Sequence, residues 1–152
     1  MTELKVGIGE VRVERGDVVL SAYGVGSCVV VVFYEKEKKV GGLAHILLPG
    51  GNEESLKTCG GAIKELLRRF EALGIKRENI VAKIAGGATM FKEFNHSSIG
   101  KRNVMETRAL LGKLGIPIVG EDVLGERGRT VIFNLKNGEV RVRSYRRGEK
   151  II

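Results

Sequence analysis

Tryptophan and glutamine are absent from this 152-residue chain, and cysteine, histidine and proline occur only twice each. Each shortage excludes something. With no Trp, three Tyr and five Phe, the chain is poorly supplied with the stacking surfaces that bind single-stranded nucleic acid. Its net charge of +8 expresses nonspecific attraction rather than a fold, and no recognition-helix or zinc-finger signature accompanies it. Nucleic acid is therefore not an expected partner. No apolar run approaches the ~20 residues that span a bilayer, so no membrane insertion is expected. Met1-Thr2-Glu3-Leu4-Lys5 lacks the charged-then-apolar layout of an export signal, and the expected location is cytoplasmic. Two cysteines in such a setting read as free thiols rather than a disulfide framework. The missing glutamine, beside abundant Lys, Glu and Arg, resembles the bias of proteins from hot environments.

What is present suits a globular protein. Hydrophobic residues make up 43% and charged residues 29%, enough for one core and one domain over residues 1–152. Residues 4–14 alternate loosely and predict a first strand, with Glu14-Arg15-Gly16-Asp17 as the following turn. Strands are predicted over 18–23 and 28–34, the second a β-branched run that suits a strand buried on both faces. The charged turn Glu35 to Lys39 leads into a strand over 40–48. The pattern then changes to a helical period, with Ser55 as N-cap and Leu56, Cys59, Ile63, Leu66, Leu67, Phe70 and Leu73 on one stripe. Gly74 ends that helix. A strand over 80–85, a helix from about 101 to 114 capped by Ser97 or Ser98, and a strand over 116–122 follow. The last pair, 129–135 and 139–145, forms a hairpin around Lys136-Asn137-Gly138. The expected class is α/β in the mixed α+β sense, since so many consecutive strands do not fit a doubly wound sheet.

Candidate chemistry centres on Tyr23-Gly24-Val25-Gly26-Ser27-Cys28, a glycine turn between two strands. Its successive N–H groups are able to converge on a small concavity, with a thiol at the edge. That is the layout of a nucleophile beside an oxyanion hole; a buried, inert Cys after a tight turn is the other reading. Gly24-Val25-Gly26 is not a dinucleotide fingerprint, because position 29 is Val and no helix follows. No cofactor is expected. Cys28, His45, Cys59 and His96 match no short metal-ligand spacing, so no metal site is expected either. Cys59 falls on the apolar helix stripe and reads as core. His96 lies in a polar loop and reads as solvated surface. His45 sits in an otherwise apolar strand, either as a satisfied core residue or as a base for a thiol. If the strands on either side of residues 35–39 pair antiparallel, position 45 lies opposite about position 29, close to Cys28.

At these residues the chain resembles the chemotaxis receptor deamidase family, CheD. The resemblance runs through Gly26-Ser27-Cys28-Val29, Ala44-His45 with Leu48-Pro49, and Lys83-Ile84-Ala85-Gly86-Gly87-Ala88 with Met90-Phe91. It continues through Ile99-Gly100, Arg102-Asn103, Glu121-Asp122 and Gly128-Arg129. It implies hydrolysis of selected glutamine side chains on chemoreceptors to glutamate and ammonia, with Cys28 as nucleophile and His45 as base. Backbone N–H groups near Ser27 and Cys28 would hold the oxyanion. The family has a Thr that orients the histidine, where this chain has Ala22; Ser21 is the neighbouring candidate, and serves only if its strand bulges. The resemblance also implies a β-sandwich-like core of mixed sheets with flanking helices, and a CheC-type phosphatase as partner. A regulatory module that binds this phosphatase with weakened catalysis is the alternative that Ala22 raises.

Overall fold

The structure is a computed structural model that describes residues 1–51, 54–90, 98–144 and 146–152. Ten strands and two α-helices follow one another among the described residues: β1 (Thr2–Lys5), β2 (Val11–Arg15), β3 (Val18–Val25), β4 (Val29–Glu35), β5 (Val40–Ile46), α1 (Cys59–Ala72), β6 (Val81–Gly86), α2 (Ile99–Leu114), β7 (Ile118–Val123), β8 (Arg129–Asn134), β9 (Glu139–Ser144) and β10 (Gly148–Ile151). They form two five-stranded sheets, β1-β3-β8-β9-β10 and β2-β5-β4-β6-β7. Both are mixed, since β1–β3 and β6–β7 run parallel while the other pairs are antiparallel. The mixed α+β class is thus the observed one.

The layers follow from the side-chain period of the strands. In β4, Val30 and Val32 face the first sheet and pack with Leu20, Ala22, Val131 and Phe133. Val29, Val31 and Phe33 face the other way, onto Cys59, Ile63, Leu66 and Phe70 of α1 and Val104 and Leu111 of α2. Sheet, sheet and helices therefore make three layers, and β4 is buried on both faces as its valine run predicts. Phe33 and Phe70 meet edge to face, with centroids 5.7 Å apart, a geometry that adds to their area burial.

Several expectations shift. Residues 4–14 are not one strand: β1 belongs to the first sheet and β2 to the second, and residues 6–10 cross between them. Gly9, at φ +80°, supports that crossing. The cap of α1 is Thr58, whose Oγ1 accepts from the Gly61 N–H at 3.2 Å, while Ser55 accepts through its carbonyl from Thr58. Ser98 caps α2, and Gly115 ends it in the left-handed conformation. The predicted strand over 139–145 is observed as Glu139–Ser144, Tyr145 lying outside the described residues, and β10 adds an edge that the sequence does not predict. There Glu149 pairs with Arg141 and Arg143, so the basic face of β9 is partly neutralised by its neighbour. Asn52, Phe91, His96, Ser97 and Tyr145 lie outside the described residues. Among the described residues no helix is long and apolar enough to cross a membrane.

Candidate active site

Cys28 immediately precedes β4, and His45 lies near the end of the antiparallel β5. In the observed register His45 is opposite Val30 rather than Val29. Side chains alternate along a strand, so Cys28 shares the face of Val30 and is the diagonal neighbour of His45. Such neighbours have Cα atoms roughly 7–8 Å apart. Both face the inter-sheet core, where Cys28 is 5% and His45 1% exposed. Cys59 instead lies in the core between sheet and helices, as its helix period predicts. The two thiols are therefore on opposite sides of one sheet, and among the described residues, which do not include His96, no group of three or more His, Cys, Asp or Glu side chains could hold a metal ion.

His45 is held through its main chain and its ring. The Gly9 N–H donates to the His45 carbonyl at 2.9 Å, and the His45 N–H donates to Glu10 at 3.1 Å. Nδ1 lies 3.0 Å from the Val6 carbonyl. A carbonyl only accepts, so Nδ1 carries the proton and the neutral ring presents Nε2 as a bare acceptor. Nε2 is buried and has no hydrogen-bond partner. An unsatisfied acceptor of this kind costs roughly 1–3 kcal/mol. Burial lowers the His45 pKa from its ordinary value, partly offset by the Val6 bond. Burial likewise pushes the Cys28 thiol up, with its own backbone N–H opposing. Both shifts favour the uncharged forms at neutral pH, a thiol and a neutral imidazole.

Ser21 does not take the orienting position that the sequence suggested for it. Its Oγ donates to Glu3 Oε2 at 2.7 Å, which also accepts from Tyr23 at 2.7 Å. These two bonds hold the Glu3 carboxyl below its usual range. A register shift does occur in β3, but between Ala22 and Val25, beyond Ser21. Ser21 therefore keeps the regular alternation and faces away from Ala22, which is buried in the inter-sheet core. What Ser21 contributes toward His45 is its carbonyl, which accepts from the Val6 N–H at 2.7 Å. The Val6 peptide then reaches His45.

The glycine turn is held by its carbonyls. Gly26 accepts from the Ala88 N–H at 2.9 Å and Cys28 from the Gly87 N–H at 2.7 Å. Between them, Ser27 accepts from Asn103 Nδ2 at 2.9 Å. Because C=O and N–H point in opposite directions across a trans peptide, these bonds turn the Ser27 and Cys28 N–H groups away from α2 and residues 86–88. Asn103 was legible only as part of a motif; its signal is a polar residue one turn before Thr107 on the buried stripe of α2. A recess of about 770 Å³ between α1 and α2, lined by Leu67, Leu110 and Leu114, lies apart from these groups.

Comparison with known proteins agrees along the whole chain. The family described as "CheD chemotactic sensory transduction" matches residues 49–144. A protein of Methanococcus vannielii named "Probable chemoreceptor glutamine deamidase CheD" is 43% identical, over 92% of this chain and 94% of its own length. Proteins of the same name from Archaeoglobus fulgidus and Pyrococcus horikoshii are 42% and 39% identical, covering 97% and 99% of this chain and 97% and 98% of theirs. With the family match spanning well over half of the residues, and relatives of this identity covering the remainder, the chain belongs to the CheD family.

Proposed function

We propose that the chain is a protein-glutamine deamidase that converts selected chemoreceptor glutamines to glutamate. The names of its relatives support the reaction class. The observation that carries the chemistry is the His45 ring, fixed through Nδ1 with Nε2 unpartnered on the face of Cys28. Nε2 takes the Cys28 proton as sulfur attacks the glutamine carbonyl carbon. The oxyanion forms against the Ser27 and Cys28 N–H groups, a contribution often worth ~3 kcal/mol per donor. The C–N bond breaks, the nitrogen leaves as ammonia with the proton from His45, and a thioester remains. Water, deprotonated by the same Nε2, attacks the thioester, releasing glutamate and restoring the thiol. The Val6 carbonyl on Nδ1 would orient the ring without the family's Thr, which favours the enzyme over a catalytically weakened binding module. Binding of a CheC-type phosphatase is proposed on the family resemblance. The location is proposed to be cytoplasmic, where receptor signalling regions are exposed.

Incubating the protein with a receptor cytoplasmic fragment and reading its glutamine peptides by mass spectrometry tests the activity. Selected Gln residues should gain the mass of the Gln-to-Glu change; a fragment with every glutamine intact overturns the reading. The pH dependence tests the resting pair. His45 must be neutral to act, and its pKa is lowered, so the acid limb of kcat/KM should fall below pH 6.5. The thiol is raised, so iodoacetamide alkylation of Cys28 should climb with pH through a midpoint above 9.0. An alkylation rate already at its plateau at pH 7 would mean a thiolate–imidazolium pair instead.

A further inference from the structure

We infer that Asn103 is the positioning residue of the oxyanion cradle, setting the direction of the Cys28 N–H from the far side of the peptide. The inference deepens the proposed function, and rests on Cys28 as an acyl-accepting nucleophile.

Asn103 is fully buried on α2. Its Nδ2 donates twice, to the Ser27 carbonyl at 2.9 Å and to the Leu47 carbonyl at 3.1 Å. Only the amide nitrogen is able to donate to two carbonyls, so the orientation of the group is settled by chemistry. One side chain thus ties the residue before the nucleophile to the residue two beyond the base. The Ser27 carbonyl and the Cys28 N–H belong to one rigid plane, so fixing the first toward α2 fixes the second away from it. The helix is itself held close. A Cβ at Gly100 would run into the Ala88 carbonyl oxygen and meet the Gly87 backbone at 2.7 Å, so α2 approaches the Gly87-Ala88 segment more closely than any other residue would permit. On its other side Asn103 meets Cys59, whose Sγ lies 3.7 Å from its carbonyl and 3.9 Å from its Oδ1. Cys59 Sγ in turn lies 3.6 Å from Thr107 Oγ1. Asn103 is therefore clamped from α1 while it clamps the turn.

An oxyanion donor matters for acyl transfer and not for alkylation, because only acyl transfer builds negative charge on a carbonyl oxygen. Two probes separate the roles: p-nitrophenyl acetate, read as the burst of p-nitrophenolate on acylation of Cys28, and iodoacetamide, read as alkylation at the same pH. In Asn103→Ala, acylation is expected to slow by about 10- to 100-fold, somewhat less than full removal of a donor, with alkylation within about twofold of the unsubstituted protein. For the receptor fragment, kcat should fall and KM stay. Thr107→Val, on the same buried seam but without a bond to either carbonyl, should leave both probes unchanged. If Asn103→Ala does not fold, Asn103→Asp keeps the shape and loses the donors, and the same split is expected. Equal losses in both probes, or none in either, overturn the inference. Acylation that depends on Asn103 in a protein that converts no receptor glutamine would leave the cradle standing and remove the deamidase reading.

Discussion

Cys28→Ala is expected to abolish deamidation, with a rate loss on the order of 10⁴ to 10⁶, as for nucleophile removal in other acyl-transfer sites. The substitution deletes one sulfur from a position 5% exposed, immediately before β4. Stability should stay within about 1 kcal/mol, since no hydrogen-bond partner is orphaned. His45→Ala is expected to lose nearly as much activity at neutral pH, but to recover part of it as the pH rises. Hydroxide then supplies the thiolate that Nε2 otherwise generates, and the thiol's raised pKa places that recovery above pH 9.0. The histidine variant also strands the buried Val6 carbonyl, which costs roughly 1–3 kcal/mol. Mass spectrometry of receptor glutamine peptides reads the activity, and thermal melting reads the stability. A Cys28→Ala protein that still deamidates would remove the thiol from the mechanism.

The parts of this site that depend on side-chain identity were legible in the sequence. Cys28 follows a glycine turn, Cys59 obeys a helical period, and the hairpin around residues 35–39 brings His45 beside the start of β4, one residue from the predicted register. The parts that depend on the main chain were not. The carbonyl that orients His45 belongs to Val6, and any residue supplies a carbonyl. Reading residues 4–14 as one strand concealed it further, because loose alternation continues across the crossing between the sheets. Ser21 drew attention because it has a hydroxyl near the family's Thr position. The strand parity puts that hydroxyl on Glu3, and only where the register shift falls could have shown this. β10 escaped because four exposed residues carry no apolar period to detect.

A common design links these groups. His45 is aimed by a main-chain carbonyl, and the Ser27 and Cys28 N–H groups are aimed by donors acting on the carbonyls of their own peptides. Each contact acts on a main-chain carbonyl rather than on the thiol itself. Such preorganisation lowers the barrier because the dipoles need not reorient as charge develops. It also makes the backbone of residues 86–88 as necessary as any side chain at the site.

Gly86→Ala should therefore damage both the fold and the chemistry. Gly86 pairs with Val29 in the β4–β6 ladder at φ +113°, a conformation that L-residues rarely adopt. A Cβ there would run into the Cys28 carbonyl oxygen and come within 2.8 Å of Val25 Cγ1. The backbone strain costs about 1–3 kcal/mol and the overpacking a further 1–3 kcal/mol or so. At roughly 2–4 °C per kcal/mol for a chain of this length, the melting temperature is expected to drop by about 10 °C. Relief of the clash displaces the Cys28 carbonyl from the Gly87 N–H, so kcat should fall even well below the melting temperature. Gly112→Ala supplies the opposite sign. Gly112 lies within α2, is exposed, and has nothing within 4 Å of an added Cβ. Alanine there should stabilise by about 1 kcal/mol through helix propensity and leave the deamidation rate unchanged. If Gly86→Ala melted with the unsubstituted protein and retained its rate, the close approach of β6 to the nucleophile would not be what holds Cys28 in place.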